Sequence, residues 1–419
     1  MKKSVIQFEG GKMAEQKKFK LGLISRLIIA IILGILTGQY LPDTITKIAV
    51  TFSSIFGVFL SFIIPLMILA FVTKGIADLA EGAGKLLAIT AGIAYVSTLI
   101  AGSLSWVMSK SIFLSFLTPD LADRIQSAEG LSPIFEIPLK PLLDVTGALV
   151  FAFMMGVGIS YLKTLKKGQY WYGIIDEFNI VITEVLKRAI VPFLPLFIYG
   201  NFANMSYAGS VFTVLGIFWK VFLCVIILHL LYISSMFFMA GAYRKEKPFK
   251  WMKNQIAGYM TAIGTQSSAA TIPVNVSCAE KNGVSKEIRD FVVPLCATVH
   301  MPGSMITITA CSFTMLAMFS MPHDFSIMIK FIAILGIAMV AAPGAPGGAV
   351  MSALPFLPII GVDPAIIGNQ AEVMSTLLIS LYLTQDSFGT AANVSGDNAI
   401  ALVVDKIYHD KILKNFSKK

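Results

Sequence analysis

The segment QDSFGTAANVSGD, residues 385–397, places polar and acidic residues inside an apolar stretch that is long enough to cross a membrane. Four of its side chains follow the spacing i, i+4, i+7 and i+11: Asp386, Thr390, Asn393 and Asp397. At about 3.6 residues per turn, this spacing puts all four on one helix face over about 16 Å. We call this row the polar stripe, and it decides how the rest of the chain is interpreted.

The two aspartates of the polar stripe have few basic residues near them in the chain. No Lys or Arg occurs between Phe331 and Lys406, nor between Asp290 and Lys330. An acidic side chain in the middle of a membrane helix costs about 2.5–3.5 kcal/mol on insertion scales. Two carboxylates on one face therefore need cations or a water-filled cavity, which favours ligand binding over structural ion pairs.

The composition is that of an integral membrane protein. Of the 419 residues, 56% are hydrophobic and 14% are charged, whereas about a quarter of the residues of a soluble protein are charged. The net charge of +9 does not indicate nucleic-acid binding, because Lys and Arg gather at the termini and in loops. The four cysteines are scattered through apolar segments and predict no disulfide framework. No nucleotide-binding motif or metal-spaced Cys/His cluster is present, so no cofactor is expected.

Upstream of residue 250 the chain contains six long apolar segments, each long enough for a membrane-spanning helix. They run near Leu23–Leu41, Ile48–Val72, Leu86–Met108, Leu142–Leu162, Ile174–Tyr199 and Val211–Ala240. Basic residues are concentrated before the first segment, after the fourth and after the sixth. Because positively charged loops stay on the cytoplasmic side, this pattern predicts that both termini are cytoplasmic.

Beyond Lys253 the apolar segments become short and come in pairs. Gln255–Gly264 and Ile272–Cys278 flank the tip TQSSAAT, and Phe331–Ala342 and Ala349–Ile360 flank the tip PGAPGG. We interpret these as two re-entrant helical hairpins, each followed by a full span. Two such units that enter from opposite sides form an inverted repeat, and interrupted segments at matching positions indicate a transport site. The alternative is two ordinary helical pairs without a ligand.

The first of these following spans, Ile288–Met318, is interrupted by Pro302 and Gly303. Proline lacks an N–H group, so the carbonyl of Thr298 loses its helical partner, and the freed carbonyls could coordinate a cation. His300 lies in the break. An imidazole, with an unperturbed pKa of about 6.5, could instead carry a proton, and a purely structural histidine is equally compatible with the sequence.

At these residues the sequence resembles the dicarboxylate/amino acid:cation symporter family, which includes the glutamate transporters. The resemblance covers nearly the whole chain and is carried by QSSA at 266–269, TVHMPGS at 298–304, PGAPG at 343–347 and NVSGD at 393–397. It implies an all-α integral membrane protein with eight transmembrane helices and two re-entrant hairpins, working as an elevator-type homotrimer in the plasma membrane. Sodium would be the coupling ion.

The resemblance also implies a division of the chain. It assigns 1–22 to a cytoplasmic tail, 23–85 to scaffold helices 1–2, 86–110 to helix 3 of the transport domain, 111–208 to an extracellular loop and scaffold helices 4–5, 209–405 to the rest of the transport domain, and 406–419 to a basic cytoplasmic tail.

The family's motifs map onto specific residues of this chain. For the substrate they imply Ser267, Ser268, Ala269, Ser304, Ala345, Pro346, Gly347, Asp386, Gly389, Thr390 and Asn393. For sodium they imply a first site at Cys296, His300, Asn393 and Asp397. A second site, mostly of backbone carbonyls, would use Thr298, Met301, Met339, Val340 and Ala342. A third would use Ser97 and Thr98, but it is degraded here, because His300 and Pro302 replace the family's Asn and Asp.

Two departures from the family concern the substrate. Carriers of acidic amino acids have an arginine three residues after the amino-binding aspartate, where this chain has Gly389, or just before the tip serines, where it has Gln266. An unpaired buried carboxylate would cost several kcal/mol. A small neutral amino acid is therefore expected, with serine or threonine first, as in the sodium/serine–threonine symporter branch.

Several alternatives remain open at this stage. Cystine, another neutral amino acid or a dicarboxylate could be the substrate, and proton coupling through His300 could replace one sodium ion. From other classes, a channel would use the polar stripe to line a pore. An intramembrane enzyme would need Asp386 and Asp397 as an acid pair, but about 16 Å is too long for a shared proton, so no enzyme is expected.

Overall fold

The computed structural model describes residues 23–79, 85–117, 130–143, 145–341 and 347–413. These residues form helices joined by turns and short extended connections, and no strand occurs among them. The predicted all-helical class is therefore confirmed for the described part of the chain. The first 22 residues, the segment 118–129 and the end of the basic tail lie outside it.

The described residues of the first half of the chain contain seven α-helices. Their bounds are α1 Leu23–Tyr40, α2 Asp43–Leu79, α3 Lys85–Ile112, α4 Val145–Thr164, α5 Gln169–Val185, α6 Val191–Tyr207 and α7 Val211–Arg244. The predicted fifth span is thus two helices, α5 and α6, joined by a π-helical turn at Leu186–Ile190. Pro192 follows this turn and cannot donate the hydrogen bond that would continue a regular helix.

The second half begins with an antiparallel helix pair, α8 Phe249–Thr265 and α9 Ser268–Lys281. Then follow α10 Lys286–Val299 and α11 Pro302–Met318, which are the two parts of the broken span. The break lies where the sequence places Pro302 and Gly303. The remaining helices are α12 Phe325–Ala338, α13 Gly348–Ala353, α14 Pro364–Ile367 and α15 Asn369–Ile407.

Short 3-10 segments extend the second helix pair. One covers Met339–Ala341 after α12, and the other, Leu354–Ile360, follows α13. The predicted second arm is therefore only half α-helical, because Pro355 and Pro358 interrupt the α-helical hydrogen bonds there. The tip between these arms, residues 342–346, lies outside the described residues.

Three described helical stretches are long and apolar enough to cross a membrane: Ala88–Ser115, Val211–Arg244 and the broken span Lys286–Met318. The exposed side chains of the first two are largely apolar, as lipid-facing surfaces require, whereas the broken span is mostly buried inside the protein. The count of eight crossings stays a prediction.

The helices pack in two groups. In the first, α1 packs on α6, and α2 packs on α4, α5 and α6. In the second, α15 packs on α7, α8, α10 and α11, while α3 packs on α11 and α12. Helix α15 is buried along nearly its whole length from Ala371 to Asp405. The polar stripe therefore lies at the centre of the second group.

Candidate functional site

The candidate site is formed where the broken span crosses α15. A Cβ atom added at Gly303 would overlap the carbonyl oxygen of Gly389 and lie 2.6 Å from the Cβ of Ala392. One added at Gly396 would lie 2.6 Å from Cε1 of His300. Gly303 and Gly396 therefore allow the helices to approach closely at this crossing. The polar stripe is buried at this crossing, with each of its four side chains at most 5% exposed.

Both carboxylate oxygens of Asp386 accept hydrogen bonds. The backbone N–H of Gly347 donates to Oδ2 over 2.7 Å, and the hydroxyl of Tyr382 donates to Oδ1 over 2.8 Å. Gly347 has a left-handed φ of +75°, which glycine adopts without strain. The structure therefore brings the end of the second hairpin tip onto the aspartate that the sequence assigns to the substrate.

Asn393 lies against the first residues of α11. Its Oδ1 atom accepts hydrogen bonds from the N–H groups of Gly303, at 2.8 Å, and Ser304, at 3.3 Å. Its Nδ2 group donates to Oγ of Ser304 over 3.0 Å. Ser304 also lies 3.3 Å from the hydroxyl of Tyr382. These contacts join Asn393 to Ser304 and, through Tyr382, to Asp386.

Asp397 has one bonded and one unbonded oxygen. Its Oδ1 atom lies 3.0 Å from Nδ1 of His300, and both side chains are fully buried. Within the described residues, the Oδ2 atom has no hydrogen-bond partner. No Lys or Arg of the described chain lies within ion-pair distance of Asp397 or Asp386. A buried carboxylate oxygen without a donor is a suitable ligand for a cation.

The residues assigned to the third cation site contact the broken span. The Oγ atom of Ser97 lies 2.9 Å from Nε2 of His300 and 2.8 Å from the hydroxyl of Tyr232. The hydroxyl of Thr98 accepts the N–H of Met301 over 3.3 Å. The imidazole of His300 thus bridges Ser97 and Asp397.

The structure describes most, but not all, of the remaining residues that the family resemblance assigns to the cation sites. Cys296 is buried and its carbonyl accepts the N–H of His300 over 2.9 Å. Thr298 is exposed, and its hydroxyl donates to the carbonyl of Leu295 over 2.8 Å. Met339 is buried and Val340 is half-buried in the 3-10 turn after α12. Ala342 and, for the substrate, Ala345 and Pro346 lie outside the described residues.

The first hairpin tip corrects one sequence-based expectation. The second arm was expected to start near Thr271, but α9 begins at Ser268, with Ser267 as its N-cap. The Oγ atom of Ser267 accepts the N–H of Ala270 over 3.2 Å, which stabilises the first turn. Ser268 is buried and Ala269 is exposed. The helix start therefore coincides with the two serines.

Several contacting residues were not identified from the sequence as site residues. Tyr382 precedes Asp386 by one helical turn and extends the polar stripe, a spacing that could have revealed it. The Nε2 atom of His229, on α7, lies 3.0 Å from the carbonyl oxygen of Gly303. A buried cluster of amides links the first hairpin to α15, and its members are Gln255, Asn275 and Asn398.

A cavity of about 710 Å³ lies between α3, α7 and α15. Its lining is almost entirely apolar, with Ser97, Tyr232 and Ser235 as the polar exceptions. Ser97 and Tyr232 separate it from His300. Asp386 does not line this cavity, so it is not the place where an amino acid would meet the polar stripe.

Comparisons with known proteins cover nearly the whole chain. The serine/threonine transporter SstT of Acinetobacter baumannii (strain ATCC 17978) is 24% identical over 405 residues, covering 92% of this chain and 97% of that protein. The neutral amino acid transporter B(0) of Homo sapiens is 26% identical over 363 residues, covering 79% of this chain and 64% of that protein. The Bos taurus protein of the same name is 25% identical over 361 residues.

The profile of the sodium:dicarboxylate symporter family matches residues 23–407, which include every helix of both packing groups. The matched relatives are amino acid transporters and not enzymes. The resemblance inferred from the four motifs is confirmed: the chain belongs to the sodium:dicarboxylate symporter family of membrane transporters.

Proposed function

We propose that this chain is a sodium-coupled symporter of a small neutral amino acid, with serine or threonine as the leading substrate. The observation that carries the proposal is the pair of buried carboxylates on α15, neither of which has a Lys or Arg partner among the described residues. Two buried anions at membrane depth are stabilised by positively charged ligands. Asp386 would bind the ammonium group of the substrate, and Asp397 would bind sodium.

The surroundings of Asp386 support an amino acid ligand. An ammonium group can replace the hydrogen bond that Gly347 donates to Oδ2 with a stronger, charge-assisted one, while Tyr382 keeps its hydrogen bond to Oδ1. The N-terminus of α9 provides N–H groups that attract a carboxylate, and Ser267 and Ser268 lie there. The second hairpin tip, with Ala345, Pro346 and Gly347, would close over the substrate.

The absence of arginine at positions 266 and 389 supports a neutral substrate. Gly389 packs against the backbone of Gly303 and Ser304, and a Cβ there would lie 3.5 Å from them. No guanidinium is available at this crossing to neutralise a second carboxylate of an acidic substrate, so dicarboxylates rank below neutral amino acids. Cystine is the second candidate, since one relative is a serine/threonine transporter and another is a transporter of neutral amino acids.

The geometry around Asp397 supports sodium as the coupling ion. Its Oδ2 atom has no partner among the described residues. Together with the backbone carbonyls of Cys296, His300 and Asn393, it would offer the hard oxygen ligands that a small alkali cation takes. The backbone of Thr298, Met301, Met339, Val340 and Ala342 would form a second site. The ring of His300 lies between Ser97 and Asp397, where the third site would require a cation. Fewer than three sodium ions per cycle are therefore expected.

The two packing groups support an elevator mechanism. The group of α1, α2, α4, α5 and α6 would be the static scaffold, which covers residues 23–85 and 111–208. Helix α3 and the helices from α7 to α15, residues 86–110 and 209–405, would carry the substrate. By family membership we propose a homotrimer in the plasma membrane, with both termini, including 1–22 and 406–419, in the cytoplasm.

Uptake into proteoliposomes tests the proposal. Purified protein should accumulate radiolabelled serine against its gradient when sodium is higher outside, and accumulation should stop when sodium is equal on both sides. A panel of competitors, with threonine, alanine, cystine and aspartate, identifies the substrate. Aspartate uptake that serine does not inhibit contradicts the neutral-substrate assignment. Serine flux without accumulation indicates a channel, and accumulation driven by a pH gradient alone indicates proton coupling.

A further inference from the structure

We infer that Tyr382 and Ser304 couple the substrate site to the cation site. The inference rests on the proposed function and adds two residues to it in a role that no comparison assigns. Tyr382 is fully buried, and its hydroxyl lies between Oδ1 of Asp386, at 2.8 Å, and Oγ of Ser304, at 3.3 Å. Ser304 in turn receives the Nδ2 group of Asn393 over 3.0 Å.

The hydroxyl of Tyr382 has one proton and two acceptors. An ionised carboxylate only accepts, so Tyr382 donates to Oδ1 of Asp386, and from the same position it can donate instead to Oγ of Ser304. The Oγ atom of Ser304 also accepts from Nδ2 of Asn393. These contacts form one connected chain of hydrogen bonds from Asn393 to Asp386, in which Asp386 and Ser304 compete for the proton of Tyr382. The links of such a chain depend on one another.

The chain connects two events that symport must link. The Oδ1 atom of Asn393 fixes the N–H groups of Gly303 and Ser304, which are the first residues after the break in the span. A cation bound at Asn393 and Asp397 would hold this amide and, with it, the Oγ atom of Ser304. Tyr382 would then stay oriented on Asp386 and leave the carboxylate placed for the ammonium group. Without the cation, the same chain is free to rearrange.

The contacts also explain why tyrosine is needed at this position. The ring of Tyr382 is packed in the interior, so phenylalanine would keep its volume and remove only the hydroxyl. The loss would leave Asp386 with its hydrogen bond from Gly347 and would separate it from Ser304. Tyr382 is therefore a positioning residue, and Tyr382→Phe isolates this role from packing.

The test measures serine affinity of the purified full-length protein at saturating and at low sodium, by equilibrium binding. The ratio of the two affinities is the coupling factor, and sodium affinity with and without serine must give the same factor. We expect Tyr382→Phe to reduce this factor by roughly 5-fold, the effect of one lost hydrogen bond, and to change sodium affinity without serine by less than about 2-fold.

Two further variants complete the design. Ser304→Ala removes the middle link and should reduce the coupling factor to a similar extent, and the double variant should reduce it no further, because both changes break the same chain. Tyr95→Phe is the matched control, since its hydroxyl donates to the carbonyl of Ala333, away from the chain. It should leave the factor unchanged.

The outcomes separate the inference from the function on which it rests. Equal loss of serine affinity at both sodium concentrations, or additive effects in the double variant, overturns the coupling role. If Tyr382→Phe does not yield folded protein, Ser304→Ala alone decides by the same criterion. A wild-type protein whose serine affinity does not depend on sodium contradicts the proposed function itself.

Discussion

Asp386 and Asp397 lie on the same face of α15, yet their surroundings differ. Asp386 accepts one hydrogen bond at each oxygen, from Tyr382 and from the N–H of Gly347. Asp397 shares Oδ1 with His300 and has no partner for Oδ2 among the described residues. The first carboxylate has a donor at Oδ2, the N–H of Gly347, that a substrate ammonium can displace, whereas the second retains an oxygen without a partner among the described residues. The difference suits an exchangeable substrate at one end and a small cation at the other.

The largest effect on ligand affinity is expected at Asp397, the cation-binding end of the polar stripe. Asp397→Asn removes the carboxylate that contacts His300 at the break, and the amide cannot compensate the charge of sodium. Loss of one member of a buried charge pair costs about 2–5 kcal/mol, so apparent sodium affinity should fall by roughly 30-fold to several thousand-fold. The apparent sodium affinity is measured from the sodium dependence of serine uptake in proteoliposomes. If uptake by this variant keeps the sodium dependence of the wild type, Asp397 is not a cation ligand.

At the substrate end, Asp386→Asn should weaken serine binding and spare the cation. A hydrogen bond to a charged group contributes about 1.5–3 kcal/mol, which predicts a loss of serine affinity of roughly 10- to 100-fold. Sodium affinity without serine should change by less than about 2-fold. Equilibrium binding of each ligand alone distinguishes the two ends. Equal losses for serine and for sodium in the absence of serine would remove the functional distinction between the two aspartates.

The structure explains which parts of this comparison the sequence could predict. The polar stripe is a local pattern, because residues one turn apart share a helix face whatever they pack against. The break at Pro302 is local too, since it follows from a missing N–H. The partners across the crossing are not local. That Gly303 meets Gly389, and that the end of the second tip meets Asp386, depends on how distant helices pack.

The role of Tyr382 also could not be predicted from the sequence. A tyrosine within an apolar segment is compatible with core packing, and only the positions of Asp386 and Ser304 show what its hydroxyl does. The start of α9 differs from expectation because a serine N-cap moves the first helical residue to Ser268. The hairpin assignment came from the paired short apolar segments, and the domain and sodium-site assignments came from the family resemblance. All of them stay predictions.

The close packing of α11 on α15, which connects the surroundings of Asp386 and Asp397, can be tested by enlarging Gly303. Gly303→Ala introduces a Cβ that overlaps the carbonyl oxygen of Gly389 and crowds Ala392. Overpacking of this kind costs about 1–3 kcal/mol, so the variant should unfold at a lower temperature. Gly216→Ala on α7 is the control, since no other group lies within 4 Å of its added Cβ. The unfolding temperatures of the two variants in detergent are compared. Equal unfolding temperatures would show that α11 and α15 can move apart at this crossing without loss of stability.

The smallest effect is expected at His300, which joins the cation end to α3 through Ser97. His300→Asn restores an amide oxygen, a better ligand than imidazole for a hard ion, and sodium affinity should rise by roughly 2- to 10-fold, the range of one net hydrogen bond. A protonated ring would add positive charge beside Asp397 and compete with sodium, so any wild-type loss of sodium affinity in acid should disappear in this variant. Serine preference should not change, because Asp386 and Tyr382 keep their contacts.

The prediction is checked by measuring the sodium affinity of the wild type and of His300→Asn from about pH 5.5 to 8. Identical profiles for the two proteins mean that the ring only fills the space between Ser97 and Asp397.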